Sequence, residues 1–138
     1  MSGALISATL RAAVRERAAK SCEYCRMPEI ATFFPHEPDH VIGTQHGGHS
    51  TLDNLALACA QCNRIKGPNI ASVDPQTQQI VPLFNPRMEK WTDHFRMEAG
   101  RIVPMTAPAR ATARLLRFDQ PERQEARQNL WRAGRLSG

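Results

Sequence analysis

Two Cys-x-x-Cys pairs, Cys22/Cys25 and Cys59/Cys62, bracket a run of chain that holds Asp39, His40, Asn54 and Asn63. A Cys-x-x-Cys segment sets two thiolates on one tight knuckle. Two knuckles give four soft sulfur ligands, the number and type that a closed tetrahedral zinc site takes. These are the only cysteines of the 138-residue chain, so none is left over. Between the knuckles the donors are of another kind. Asp39 is a hard anionic oxygen ligand and Asn63 a neutral one, a pair suited to a divalent cation such as Mg2+ or Mn2+ that keeps several of its waters. His40 has the intrinsic pKa to take a proton from water near neutrality. The bracket therefore supplies a structural metal staple and a short list of residues for metal-assisted chemistry.

The elements that must position these residues follow from pattern. Residues 4–20 are rich in Ala, Leu and Arg and free of Gly and Pro, which predicts a helix. Ile6, Leu10, Val14 and Ala18 recur every fourth residue, and the next step lands on Cys22, so this helix lays its apolar stripe on the domain and leads into the first knuckle. Pro28, Pro35 and Pro38 make residues 26–38 a loop or an edge strand, with Phe33 and Phe34 as expected core anchors. Residues 40–42 read as a strand, 43–50 as a polar Gly-rich loop, 52–58 as a second strand, and 62–66 as a helical turn stopped by Gly67-Pro68. Neighbouring residues on a strand face opposite ways. Asp39 and His40 can serve one site only from a strand end or a bulge, or by approaching it from different sides.

Beyond the second knuckle, residues 69–86 carry three prolines and predict an extended, turn-rich connection. Residues 88–99 predict a helix presenting Trp91, Phe95 and Met88, ended by Gly100, followed by a strand at 101–103. Residues 106–118 and 121–133 predict two Arg-rich helices, the second with Pro121 in its first turn. The length fits one domain with a modest core: a core of about residues 15–100 and a basic helical extension over 101–138.

The formal net charge is +5 with a pI near 9.5. Residues 101–138 hold eight arginines against three acidic residues, whereas residues 1–100 are balanced at ten each, so the excess sits in the extension. The start lacks the basic and long apolar regions of a signal peptide, and no run is long enough to span a bilayer. Paired cysteines in such a chain are expected as metal ligands in a reducing, cytoplasmic setting; two disulfides in an exported protein are the competing reading.

The fragments CEYC (22–25), DHVI (39–42), HGGHSTLDNLALAC (46–59) and QCNRIKG (61–67), continuing through PLFNPR (82–87) and WTDHF (91–95), form an ordered set. Over roughly residues 15–118 this set resembles the HNH endonuclease family, whose ββα-metal fold holds a one-metal phosphodiesterase site. The resemblance implies an α+β protein: a ββα-metal motif stapled by a four-cysteine zinc site and flanked by N- and C-terminal helices. It implies that the scissile phosphate lies between His40 and a metal held by Asp39 and Asn63, and that Asn54 bonds backbone across the loop and orients His40. Cleaving a phosphodiester needs an activated water, a cation on the non-bridging oxygens and help for the leaving alkoxide, and these side chains suit those tasks. Two positions depart from the pattern. Asn63 stands where the namesake histidine would, which favours oxygen-preferring cations over zinc or nickel at the catalytic site. Gly43 stands where many relatives have proline.

Other readings accompany these residues. Asn54 is also a common turn residue and Asn63 a possible cap for the helix after Cys62. His36, His46 and His49 are expected as solvated loop residues, with substrate contact the lesser reading for the latter two, and His94 as a packed, hydrogen-bonded one. Arg64 and Lys66 are candidates for phosphate contact. The arginines at 110, 114, 117, 123 and 127 fit a solvated basic face as well as a DNA-binding one. The expected function is metal-dependent cleavage of nucleic acid, DNA first. A zinc-stapled binding module without catalysis and a nuclease toxin are the alternatives.

Overall fold

The computed structural model describes residues 6–136, which divide into two compact units. The first runs through Ile70 and takes in Asn85–Glu89. Its opening helix, α1 (Ala8–Arg17), starts at Ser7, whose hydroxyl accepts from Leu10 N at 3.1 Å, a standard N-cap. Part of the expected helix, residues 4 and 5, lies outside the described residues. At the other end the helix stops short of residue 20, because Ala19 and Lys20 take positive φ (52° and 58°) and swing the chain toward the first knuckle. The fourth-residue stripe is realised: Ile6, Leu10 and Ala18 pack against a buried cluster of Val14, Leu55 and Leu57.

Strand β1 (Glu37–His40) pairs antiparallel with β2 (Leu55–Ala58), Asp39 opposite Ala56 and His40 opposite Leu55. The first strand thus lies three residues earlier than the expected 40–42. It includes Pro38, which a two-stranded sheet tolerates because each strand has a free edge. The second strand is shorter than expected, since Leu52–Asn54 is a 3-10 turn. All four residues of β2 are buried. Helix α2 (Ala60–Lys66) follows at once, with Cys59 as its N-cap and Gly67, at φ 49°, as its C-cap, so strand, loop, strand and short helix stand in the expected order.

Phe33 and Phe34 are not core anchors. They are 97% and 65% exposed and meet edge to face, 5.7 Å between centroids. The segment before them makes only a three-residue 3-10 turn, Glu29–Ala31. Thr32 Oγ1 then bonds the Glu29 and Phe34 carbonyls at 2.8 and 2.9 Å, tying the loop to itself with the rings outside. Tyr24, Met27 and Val41 are the large apolar side chains buried in this part of the chain instead. His36, expected in solvent, is fully buried, its Nε2 2.8 Å from the Met27 carbonyl.

The second unit holds Ala71–Phe84 and the chain from Lys90 on. The expected extended connection is in part a hairpin, β3 (Ala71–Val73) against β4 (Ile80–Pro82). Its turn is organised by Asp74, which accepts from Gln76 N and Thr77 Oγ1 and takes the Arg110 guanidinium on both oxygens, each at 2.9 Å. The expected helix over 88–99 is a single turn, α3 (Trp91–His94), running into β5 (Phe95–Glu98). Met88 is exposed rather than on a face with Trp91. Phe95 and Met97 alternate with the exposed Arg96 and Glu98, a period of two that suits a strand. Strand β6 (Arg101–Pro104) returns through a two-residue turn in which Ala99 and Gly100 both have positive φ, 52° and 89°, the twist that closes a tight hairpin.

Helices α4 (Ala107–Leu115) and α5 (Pro121–Arg132) lie where the pattern puts them. The expected arginine face does not form. Of positions 110, 114, 117, 123 and 127, only Arg114 and Arg117 are exposed. Arg123 bonds the Leu116 and Arg117 carbonyls and Arg127 those of Gly100 and Phe118, all inside the unit. Loop carbonyls that no helix or strand satisfies need donors, and a long planar guanidinium delivers several from one side chain. His94 is hydrogen-bonded to Thr106 at 2.6 Å and leans on the Phe84 ring, as expected of a packed histidine. No helix among the described residues is long and apolar enough to cross a membrane.

Candidate active site and metal centre

The knuckles bring four sulfurs together. Cys22, Cys25, Cys59 and Cys62 are free thiols, all buried, with Sγ atoms within 4.8 Å of one another and 3.7 Å between Cys25 and Cys59. Four thiolates around zinc at about 2.3 Å stand roughly 3.8 Å apart, whereas a disulfide needs about 2 Å. In each knuckle the second cysteine's backbone N–H donates to the sulfur of the first: Cys25 N to Cys22 Sγ and Cys62 N to Cys59 Sγ, both at 3.4 Å. Burial pushes the Cys22 and Cys62 thiols well above their ordinary pKa. These two buried thiols do not ionise readily by themselves, whereas contact with Cys22 draws the Cys59 thiol below its ordinary value; a bound cation would supply the charge that lets all four ionise. The cluster can hold a metal ion. The first knuckle is also fastened to β2: Glu23 N donates to Leu57 O, Leu57 N donates to the Glu23 carboxylate, and Arg87 pairs with that carboxylate while donating to Leu55 O.

Asp39, His40 and Asn63 line one cleft, together with Gly43, Thr44 and Gly67. The strand-end solution applies. His40 is the last residue of β1, half-buried, and Asp39 beside it is buried. Asn63 stands on α2, half-buried, and its backbone belongs to the helix ladder. Two arms hold Asp39: Tyr24 Oη donates to Oδ2 at 2.8 Å, and Lys66 Nζ lies 3.1 Å from the same oxygen. Burial raises the Asp39 carboxyl above its ordinary pKa, with Lys66 and Tyr24 acting against that rise. His40 Nε2 is 2.8 Å from Ser50 Oγ.

The loop after β1 is closed by Asn54. Its Oδ1 accepts from Ile42 N at 3.0 Å, and its Nδ2 donates to the carbonyls of Ile42 and His49, each at 2.9 Å; its own carbonyl accepts from Val41 N at 2.9 Å. The approach is so close that a Cβ on Gly48 would sit 1.7 Å from the Ile42 oxygen, which explains glycine there. Asn54 thus bonds backbone on both sides of the loop that leaves His40. His46 and His49 are exposed, His46 with Nε2 3.1 Å from the Pro68 carbonyl.

Arg64 is exposed and Lys66 is not. Lys66, expected to reach phosphate, is buried with its ammonium on Asp39 and on the carbonyls of His40 and Val41. Pattern reading also missed Tyr24 and Ser50, which hold Asp39 and His40. Tyr24 carried a signal, as the only aromatic residue inside a knuckle; Ser50 carried none.

A two-stranded antiparallel sheet followed by a short helix, with Asp, His and Asn on one cleft and a four-cysteine cluster in the same unit, defines an α+β protein of the ββα-metal class. Residues 22–69 match the family model described as HNH endonuclease. The matched span includes both knuckles and Asp39, His40, Asn54 and Asn63. No curated protein and no solved structure matches the chain.

Proposed function

We propose that the protein is a metal-dependent endonuclease that hydrolyses phosphodiester bonds in DNA, with His40 as general base. The observation that carries the reading is the meeting of Asp39, His40 and Asn63 at one cleft, from a strand end and a helix more than twenty residues apart in sequence. The donors fit a hard cation: one carboxylate and one amide oxygen, with no sulfur or second imidazole among the three. A divalent cation such as Mg2+ or Mn2+ held by Asp39 and Asn63 would neutralise charge on the non-bridging phosphate oxygens. His40 takes a proton from the attacking water, and Ser50 and the Asn54-closed loop hold its ring and backbone for that task. Exposed Arg64, next to Asn63 on α2, is offered to the phosphate backbone. The four cysteines take zinc as a structural ion, in keeping with a reducing cytoplasmic setting.

The test is a plasmid cleavage assay across a series of divalent cations, with single-stranded DNA and RNA as further substrates and His40→Ala as control. Loss of a general base costs on the order of 10²- to 10⁴-fold, so the variant should fold, keep its zinc and fall silent. Intact cleavage by purified His40→Ala would remove the assignment of the base. Retention of labelled DNA without cutting under every cation would instead favour a zinc-stapled binding module.

A further inference from the structure

Lys66 is the odd member of this cleft. Only 2% exposed, it places Nζ 3.1 Å from Asp39 Oδ2, 3.0 Å from the His40 carbonyl and 3.2 Å from the Val41 carbonyl. An ammonium has three donors, and these three acceptors use them all. Because Tyr24 donates to the same Oδ2, that oxygen is committed twice, and Asp39 keeps Oδ1 as its one uncommitted oxygen. The carboxylate charge is already matched by the ammonium, and Asn63 brings none. The other charged pair at the cleft, Arg11 with Glu37 at 2.8 Å, also cancels. A cation entering the cleft therefore meets hard oxygens but no net negative charge.

We infer that Lys66 makes cation binding conditional on nucleic acid: the cleft holds its divalent cation weakly until a phosphodiester brings the missing negative charge. This rests on the nuclease reading above. A charge-balanced carboxylate attracts a divalent ion far less than a bare one, since the ammonium repels the ion across a distance at which Coulomb terms are large away from bulk water. By linkage, whatever factor the phosphodiester adds to cation affinity, the cation adds to nucleic-acid affinity. The cation and its substrate are then taken up as a coupled pair.

The experiment titrates Mn2+ into the zinc-supplied full chain and follows free Mn2+ by its EPR signal, with and without a phosphorothioate duplex that resists hydrolysis. Uptake by the duplex alone is subtracted, and the cysteines, being soft ligands, do not compete for Mn2+. The duplex should tighten Mn2+ binding by about tenfold or more. Lys66→Gln should tighten it to a similar extent without the duplex, whereas Lys66→Arg, which keeps the charge, should behave as wild type. Tyr24→Phe frees the same oxygen without removing a charge and should change Mn2+ affinity little. An equal gain in Tyr24→Phe and Lys66→Gln would overturn the charge argument. So would wild-type affinity indifferent to the duplex, a comparison that stands even if Lys66→Gln fails to fold. DNA cleavage by a wild type that shows no such coupling sinks this inference and leaves the nuclease reading in place; coupling without cleavage does the reverse.

Discussion

Replacing Asn54 by alanine tests the link between the loop and the base most directly. The side chain makes three hydrogen bonds, two with Ile42 (3.0 and 2.9 Å) in a part-buried setting and one, exposed, with the His49 carbonyl at 2.9 Å. Water can replace the exposed bond at small cost. Each part-buried bond contributes about 1 kcal/mol net, so Asn54→Ala should destabilise the first unit by about 2 kcal/mol. In urea, with a slope of about 2 kcal/mol/M, the midpoint of the zinc-loaded protein should fall by roughly 1 M at unchanged slope, followed by far-UV circular dichroism. Cleavage measured where the variant is still folded should drop about tenfold or more, because Val41 and Ile42 follow His40 directly and a small misplacement of a catalytic group is costly. Asn54→Asp sharpens the point. It keeps the acceptor for Ile42 N but turns a charge toward two carbonyls, so at neutral pH it should do no better than alanine and should recover on acidification as the carboxylate protonates. An Asn54→Ala protein that melts with the wild type and cuts at its rate would refute the reasoning.

Two further outcomes follow from the rest of the molecule. Stripping the metal with a strong chelator, or Cys59→Ser, should unfold the first unit cooperatively, because the two knuckles carry the ends of its sheet and helix; melting curves that ignore both treatments would deny the cysteines a structural role, and a thiol-released metal assay should return one zinc per chain. In the second unit, the Arg110 guanidinium on both oxygens holds the Asp74 carboxyl well below the usual carboxylate range. A carboxyl depressed on folding stabilises above its unfolded pKa of about 4 and loses that contribution as the pH falls below it. Asp74→Asn should therefore flatten the acid limb of the second unit's stability curve, and superimposable acid limbs for wild type and variant would count against the pair.

Much of the site could be read from local spacing. Two residues between cysteines force a knuckle, a fourth-residue apolar stripe forces a helix onto a core, and Asn54, whose side chain both donates and accepts, bonds backbone wherever a loop folds back on it. The tight hairpin at Ala99-Gly100 was hidden because a helix pattern with Trp91 and Phe95 four apart looks equally good on paper. What decided for a strand there was the pairing of Phe95–Glu98 with Arg101–Pro104. Phe33 and Phe34 failed as core anchors for the opposite reason: their apolarity was legible, but the segment that bears them is too short and too self-bonded to turn them inward.

The sequence by itself determined the four-cysteine cluster, the order strand, loop, strand, helix, and the candidate residues for chemistry, because these depend on residue type and on separations of a few positions. Only the tertiary structure decided where the cations go. Lys66, Arg123 and Arg127 look alike in sequence to Arg64 and Arg114, basic residues on short-period helices. The first three are buried and bonded to carbonyls, with Asp39 added for Lys66, while the others face water. A buried charge must find its partners inside the protein, and for Lys66 those partners stand more than twenty residues away in sequence, brought to it only by the closing of the fold.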